Sequence, residues 1–317
     1  MRFITKSTAT EKITDIFQNL NNSSLWSLQL LNIVTTKKDG IGYSSREIEL
    51  SPAERLTKLL EDIADIYLNG KKKALSLYQD VREYDGTANS LTIYKMSTDN
   101  ELITSEYKAL LAAVADPDTE GDPFKYTSAY VIKGIIDLDG EEVSVKMFSM
   151  QNPITTLKNK FAHDKGRFYE ISHQVLSLRP TIDVVVIGET VYFLTMAGEN
   201  LFNMARAYKK VCQAKVDLVV KNDIVTDAET FSGIAVSGHN PRRFVSFNEE
   251  RLTALKKKAK RTSIAAKFSI PLDPTSGKFD TSVEGASEKI VKLLCNKGML
   301  DPFDNDAVEV DGARQWK

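Results

Sequence analysis

Tyr130-Val131-Ile132-Lys133-Gly134-Ile135-Ile136-Asp137-Leu138, then Asp139-Gly140, then Glu142-Val143-Ser144-Val145-Lys146-Met147-Phe148-Ser149-Met150, is the stretch from which the fold is read. Two runs rich in β-branched and aromatic residues flank an Asp-Gly pair, and Asp-Gly supplies the positive φ that a tight hairpin turn needs. A second hairpin reads from Ile182 to Ile187 and from Val191 to Thr195, about the turn Gly188-Glu189-Thr190. Phe168 to Leu178 is a further strand. A helix follows through Leu201, Ala205, Tyr208 and Cys212, and Ala286, Ile290, Leu293 and Leu294 mark a last one. Hairpins followed by helices predict an α+β (mixed α/β) fold, an antiparallel or mixed sheet with helices on one face.

The first 120 residues read as a separate N-terminal α+β region. Ile13, Ile16, Phe17 and Leu20 make one face of a short helix, which Asn21-Asn22-Ser23-Ser24 ends. Leu25 to Val34 is a strand. Ser51-Pro52-Ala53-Glu54 reads as a capping box with proline at the first helical position. Leu56, Leu59, Leu60, Ile63 and Tyr67 follow at helical spacing, and Asn69-Gly70 closes the helix. Leu91 to Met96 is another strand, and Asp99 caps a helix carrying Ile103, Tyr107, Leu110, Leu111 and Val114. Asp116-Pro117-Asp118 through Gly121-Asp122-Pro123 has the composition of a linker. It places a domain boundary near residue 120, with residues 121–317 as a larger C-terminal domain. Asp273-Pro274-Thr275-Ser276-Gly277 is a surface turn, and the tail from Leu300 to Gly312 is acidic.

With 317 residues, 42% hydrophobic and 27% charged, the chain can bury a full core and is too apolar to be disordered as a whole. A net charge of −1 announces no polyanion, so such a partner must be met by a local patch. Cys212 and Cys295 stand in no ligand spacing and fall on apolar helical patterns. They read as buried free thiols, which suits a reducing compartment. Met1-Arg2-Phe3-Ile4-Thr5-Lys6 lacks the apolar core of a signal peptide, and the apolar run Val184 to Ile187 is far too short to span a bilayer. The expectation is a cytoplasmic protein that reaches a membrane only through another chain.

Signatures of catalysis are absent. His163, His173 and His239 do not pair at helical spacing and have no cysteine beside them, so no metal site is expected. No phosphate-cradling GxxxxGK[ST] or GxGxxG occurs, and no GxSxG nucleophile turn. A metal-dependent nuclease would need clustered carboxylates beside a lysine. Glu106-Tyr107-Lys108 has that spacing, but it lies on an amphipathic helix whose wet face accounts for both charges. Asp137, Asp139, Glu141 and Glu142 gather with Lys146 about a hairpin turn, where acidic residues are ordinary. No catalytic residue and no cofactor are assigned.

The charge is unevenly spread. From Pro241 to Lys267, Arg242, Arg243, Arg251, Lys256, Lys257, Lys258, Lys260, Arg261 and Lys267 face only two carboxylates, Glu249 and Glu250. This segment carries an excess of seven positive charges, and the remainder of the chain an excess of eight negative ones. Asn248 caps a helix here, with Glu249 and Glu250 in the first turn, where the helix dipole favours anions. Leu252, Leu255 and Ala259 share a narrow apolar stripe, and Arg251, Lys256, Lys257, Lys258, Lys260 and Arg261 cover the remaining circumference. Solubility and dipole matching would need fewer cations and tolerate more acids. The run predicts a polyanion partner, DNA first, with Arg242, Arg243 and the six helix cations as contacts. Lys71-Lys72-Lys73 is a secondary candidate, although its place after a helix end gives the dipole a share in explaining it.

The pieces of the second half come in a familiar order. Ile182-Asp183-Val184-Val185-Val186-Ile187, Thr190-Val191-Tyr192-Phe193-Leu194 and Leu201-Phe202-Asn203-Met204 are followed by Ala286 to Leu294 and by Gly298-Met299-Leu300-Asp301. In these segments the chain resembles the KwaB-like family of Kiwa anti-phage defence systems, over roughly residues 125–310. The resemblance implies a bacterial two-component system. KwaA, a small transmembrane protein, senses infection at the inner membrane, and the KwaB-like subunit is its cytosolic partner. That subunit binds DNA and interferes with phage DNA replication and late expression. No catalytic motif travels with the family. Asp183 and Asn203 are polar anchors of the matched stretches; a strand opening and a helix start account for them without a functional role. The expectation is a DNA-binding effector that works by occupancy, as a homodimer, since two-fold dimers are the commonest oligomers. The alternatives are a nuclease whose carboxylates converge only in space, and a scaffold that does not touch DNA.

Overall fold

The computed structural model describes residues 7–20, 26–36, 40–52, 54–69, 77–80, 92–120, 127–138, 140–151, 161–170, 177–300 and 307–309. The chain forms two compact units. One comprises Met1–Gln79 with Asn89–Asn203, the other Asp80–Ala88 with Met204–Lys317. The class is mixed α+β, as expected. The boundary drawn near residue 120 falls inside the first unit. The reason is strand pairing: β1 (Ser27–Thr36) hydrogen-bonds along β5 (Thr127–Leu138), so segments on both sides of residue 120 share one sheet.

That sheet has eight strands in the order β2-β1-β5-β6-β9-β10-β4-β3, where β2 is Gly40–Ile48, β3 Leu77–Asp80, β4 Thr92–Ser97, β6 Glu141–Met150, β9 Val184–Ile187 and β10 Thr190–Phe193. The expected hairpin is its longest pairing, with antiparallel partners from Ala129↔Met150 to Leu138↔Glu141. Gly140 takes φ 86°, and its N–H donates to Asp137 Oδ1 at 2.7 Å; Asp139 lies outside the described residues. The second expected hairpin forms with Thr190↔Ile187 at its turn. Of the expected strand Phe168 to Leu178, Phe168–Glu170 lie in β8 (Arg167–Glu170), which pairs with Phe161–Asp164 (β7) in a separate two-stranded ribbon, Ser177 and Leu178 are not in a strand, and residues 171–176 lie outside the described residues. Phe168 and Tyr169 are exposed there.

Both faces of the large sheet are covered, not one. Alternation sends Leu28, Leu30, Tyr130, Ile132, Val145, Met147, Val185 and Tyr192 to the face packed by α1 (Ser7–Gln18) and α2 (Glu54–Leu68), where Phe17 stacks on Tyr67 at 4.3 Å. Leu31, Ala129, Val131, Phe148, Val184, Val186, Val191 and Phe193 point the other way and are equally buried. On that second side, strand side chains cap the last carbonyls of α3 (Thr104–Ala115). Gln29 Nε2 and Lys133 Nζ donate to Val114 O, and Ser45 Oγ donates to Ala113 O. A helix end buried without such donors would leave orphan carbonyls. Besides the turn, glycine is required within β5. At Gly134 a Cβ would come within 2.4 Å of the Trp26 ring, whose Nε1 donates to Leu20 O.

Two helix starts differ from expectation. α2 begins at Glu54, and Pro52 sits in the turn before it, its carbonyl accepting from Arg55 N at 3.0 Å. α3 is not capped by Asp99; Asn100 Oδ1 accepts from Leu102 N in a turn that precedes the helix. Asn21 to Ser24, Lys71 to Lys73, Gly121 to Pro123, and most of the acidic tail lie outside the described residues.

The second unit is helical. α4 (Met204–Lys221), α5 (Ala228–Ala235), α6 (Asn240–Arg243), α7 (Glu249–Leu255), α8 (Lys258–Lys267) and α9 (Ala286–Leu294) enclose Cys212, Val216, Phe231, Phe244, Phe279 and Ile290. Strands β11 (Gly298–Leu300) and β12 (Ala307–Glu309) pair after them. As the sequence suggested, Cys212 and Cys295 are free and buried. Burial pushes the Cys212 thiol up to about 11 and raises Cys295 further. The unfolded chain therefore releases thiol protons, as pH rises from 9 towards 11, that the fold retains. Fewer bound protons in the unfolded state make stability fall with pH over that window. Urea midpoints should drop from pH 8.5 to pH 10.5, and substituting Cys212→Ala and Cys295→Ala together should shrink the drop. An unchanged drop in the double variant would show that the thiols do not cause it.

Candidate nucleic-acid interface

The single helix expected after Asn248 folds as two, α7 and α8. Asn248 caps α7 as expected, Oδ1 accepting from Arg251 N at 3.0 Å, and the Asn248 N–H donates to Leu294 O at the end of α9. Glu249 in the first turn pairs with Lys215 at 2.5 Å. The helix then stops. Lys257 is extended, with ψ 116°, and α8 starts at Lys258. The expected stripe breaks with it, because Ala259 is exposed while Leu252 and Leu255 are buried.

Arg261 explains the break. Its side chain is buried, 6% exposed, and it lies in no described ion pair. Nη1 donates to Leu255 O at 2.8 Å and reaches Lys256 O at 3.5 Å, the carbonyls that α7 leaves free at its end. Nε donates to Gly277 O at 2.6 Å. Gly277 belongs to the expected surface turn, where Asp273 Oδ1 accepts from the Ser276 N–H at 2.6 Å. The cation thus meets the negative end of a helix and a turn carbonyl, which compensates its desolvation.

The eight residues expected to contact DNA divide by type. Four arginines are bound into the fold. Besides Arg261, Arg251 Nη1 donates to Leu293 O at 2.8 Å, Arg243 Nη1 donates to Asn240 Oδ1 at 2.9 Å, and the Arg242 guanidinium lies over the Tyr208 ring at 5.0 Å. Partial burial lowers the Arg251 pKa below its ordinary value. Lys256, Lys257, Lys258 and Lys260 are exposed, and among the described residues no carboxylate pairs with them. They sit together at the bend between α7 and α8. Asp183 and Asn203 serve the fold. Asp183 is buried, its carboxylate accepting from Met150 N at 2.7 Å and from Thr195 Oγ1. Asn203 acts by conformation: it closes the 3-10 turn Met196–Phe202 at φ 49°.

Beside the lysines opens a pocket of about 400 Å³, lined by Arg251, Ala254, Leu255, Lys260, Ile264, Phe268, Leu293 and Gly298. The sequence reading missed its apolar wall. Ile264 on α8 and Phe268, the residue that ends it, stand four apart, and that spacing was the available signal. Of the residues of the nuclease reading, Tyr107 is buried, Glu106 half-buried and Lys108 exposed; Asp137 stands opposite Glu142 across the hairpin and accepts from the Gly140 N–H. Among the described residues no three metal-ligating side chains come together.

This division predicts opposite effects within one segment. Arg261→Met leaves three carbonyls without their donor and should cost about 2–4 kcal/mol. Lys260→Met should stay within about 0.5 kcal/mol of the parent. Urea unfolding with an unchanged slope is the measurement; equal midpoints for the two variants would refute the assignment.

The family model described as Kiwa protein KwaB-like matches residues 128–299, more than half of the chain. No curated protein and no solved structure matches it. The match begins in β5 and ends in β11, so it takes in the centre of the sheet and nearly all the described helices of the second unit. By this match the protein belongs to the KwaB-like family of Kiwa proteins, and it is a component of Kiwa anti-phage defence.

Proposed function

We propose that this protein is the DNA-binding effector of its Kiwa system, acting by occupying phage DNA and not by cutting it. The observation that carries the reading is the group Lys256, Lys257, Lys258 and Lys260, four exposed ammonium groups within five residues and without described carboxylate partners. Exposed lysines contribute little to stability, so a cluster of them needs another explanation. Flexible point charges suit phosphates and give affinity with little sequence choice. The arginines behind them supply positive field but are occupied, so they steer more than they contact.

No described helix is long and apolar enough to cross a membrane. A transmembrane KwaA-like partner brings the protein to the inner membrane in this proposal, and a homodimer doubles the short footprint of one lysine group. Expressed alone, the protein should stay in the supernatant after ultracentrifugation and scatter light as a dimer at micromolar concentration. Recovery in washed membranes without the partner would overturn the first statement, and a monomer with full DNA affinity the second.

The decisive measurement is a salt series. Each neutralised phosphate lowers the slope of log affinity against log salt by about 0.9 on duplex DNA. Lys257→Glu with Lys258→Glu should weaken binding to every sequence and flatten that slope by about two units, with the melting temperature unchanged. EDTA should leave binding intact, and DNA recovered after incubation with Mg²⁺ should be uncut. Parental affinity and slope in the double variant would remove this group as the DNA site, and cleavage products would favour the nuclease.

A further inference from the structure

The pocket beside the lysine group has a composition that phosphate binding does not explain. Its walls are Ala254, Leu255, Ile264, Phe268 and Leu293, and its polar side chains are two cations, Arg251 and Lys260. Among the described residues no carboxylate lines it. Phe268 is only partly buried, and its ring edge rests on Gly298, where a Cβ would stand 3.1 Å from Cε1. Lys260 belongs both to the pocket and to the exposed lysine group, so a strand whose phosphates follow Lys256 to Lys260 passes the opening. About 400 Å³ is within the roughly 300–1,000 Å³ of sites that enclose one small organic group.

We propose that this pocket receives one unpaired base of single-stranded DNA, the phosphates of that strand lying on Lys256, Lys257, Lys258 and Lys260. The inference rests on the DNA-binding reading above and adds the form of DNA preferred. A base offers two apolar faces, which Ile264, Leu293 and the Phe268 ring can cover, while the flanking phosphates stay with the cations. A duplex keeps its bases stacked and cannot fill the pocket without unpairing one. The wall residues have few hydrogen-bonding groups, so the site takes any of the four bases. Base stacking on protein side chains of this kind is worth roughly five- to a hundredfold in affinity.

The test uses the full chain and fluorescent oligonucleotides of about 12 nucleotides, a length within the span of known single-strand sites. Four probes are compared: a mixed-sequence strand, a homopolymer, the same length of strand without bases, and the matching duplex. The intact strands should bind alike and at least fivefold more tightly than both the abasic strand and the duplex. Ile264→Gln, which adds no charge beside Lys260, should abolish the preference for the intact strand and leave duplex affinity unchanged, and Phe268→Leu should reduce the preference in part. The abasic comparison needs no variant and so stands even where one fails to fold. Equal affinity for intact and abasic strands overturns the pocket while leaving the DNA reading in place. No binding to any probe overturns both. A fluorescent fatty acid that binds here and is not displaced by single strands would assign the pocket to small apolar anions instead.

Discussion

Asp183 joins the halves of the sheet that the rest of the first unit is built on. Its backbone N–H donates to Phe148 O, its carbonyl accepts from Leu194 N at 2.8 Å, and its carboxylate takes Met150 N and Thr195 Oγ1. One residue so satisfies the end of β6, the entry of β9 and the exit of β10. A buried carboxylate is costly unless its lone pairs are filled, and here the backbone itself supplies donors. With these strands fixed, Gly198 can bring the following 3-10 turn onto the sheet, where a Cβ would stand 2.3 Å from Val184. The sheet can then bury both faces, and α1, α2 and α3 acquire surfaces to pack on.

The second unit solves a similar problem with the opposite charge. Arg261 fills the carbonyls that α7 exposes on ending, and the bend it stabilises is what gathers Lys256, Lys257, Lys258 and Lys260. One continuous helix would have spread those four ammonium groups around a rod. The planar, multiply donating guanidinium suits the interior role, and the flexible lysine stem suits the wet one. The separation of arginines from lysines is therefore a consequence of their chemistry, and it makes the bend electropositive at its surface while the buried Arg261 cation is met by carbonyls.

The hairpins were legible because alternating β-branched residues and an Asp-Gly turn state their geometry locally, as in 130–150 and 182–195. The amphipathic helices α2 and α9 were legible for the same reason. What failed to show was whatever depended on a distant partner. Nothing near Asp116 indicates that β1 pairs across the apparent linker with β5. Nothing near Lys257 indicates that Arg261 and Gly277 will end the helix there. The eight cations were visible as charge, but which of them are bound into the fold is decided by carbonyls and rings elsewhere in the chain, such as Leu293 O and the Tyr208 ring.

The same distinction bears on what the family match can carry. The segments that signal the family, Ile182–Ile187, Thr190–Leu194, Leu201–Met204 and Ala286–Leu294, are strands, turns and a helix rich in buried side chains: Val184, Phe193, Phe202, Ile290 and Leu294 are fully buried. They hold the scaffold, and Leu293 among them also lines the pocket beside the lysines. Membership in the Kiwa family thus follows from residues that build the fold, whereas the DNA reading follows from four surface lysines on a bend. The first can be true while the second is false. The two are connected through α9, whose Leu294 carbonyl receives the cap residue of α7 and whose Leu293 carbonyl holds Arg251. The signature helix is therefore the support on which the basic bend is mounted, and a change in its buried face would move the lysines without touching them.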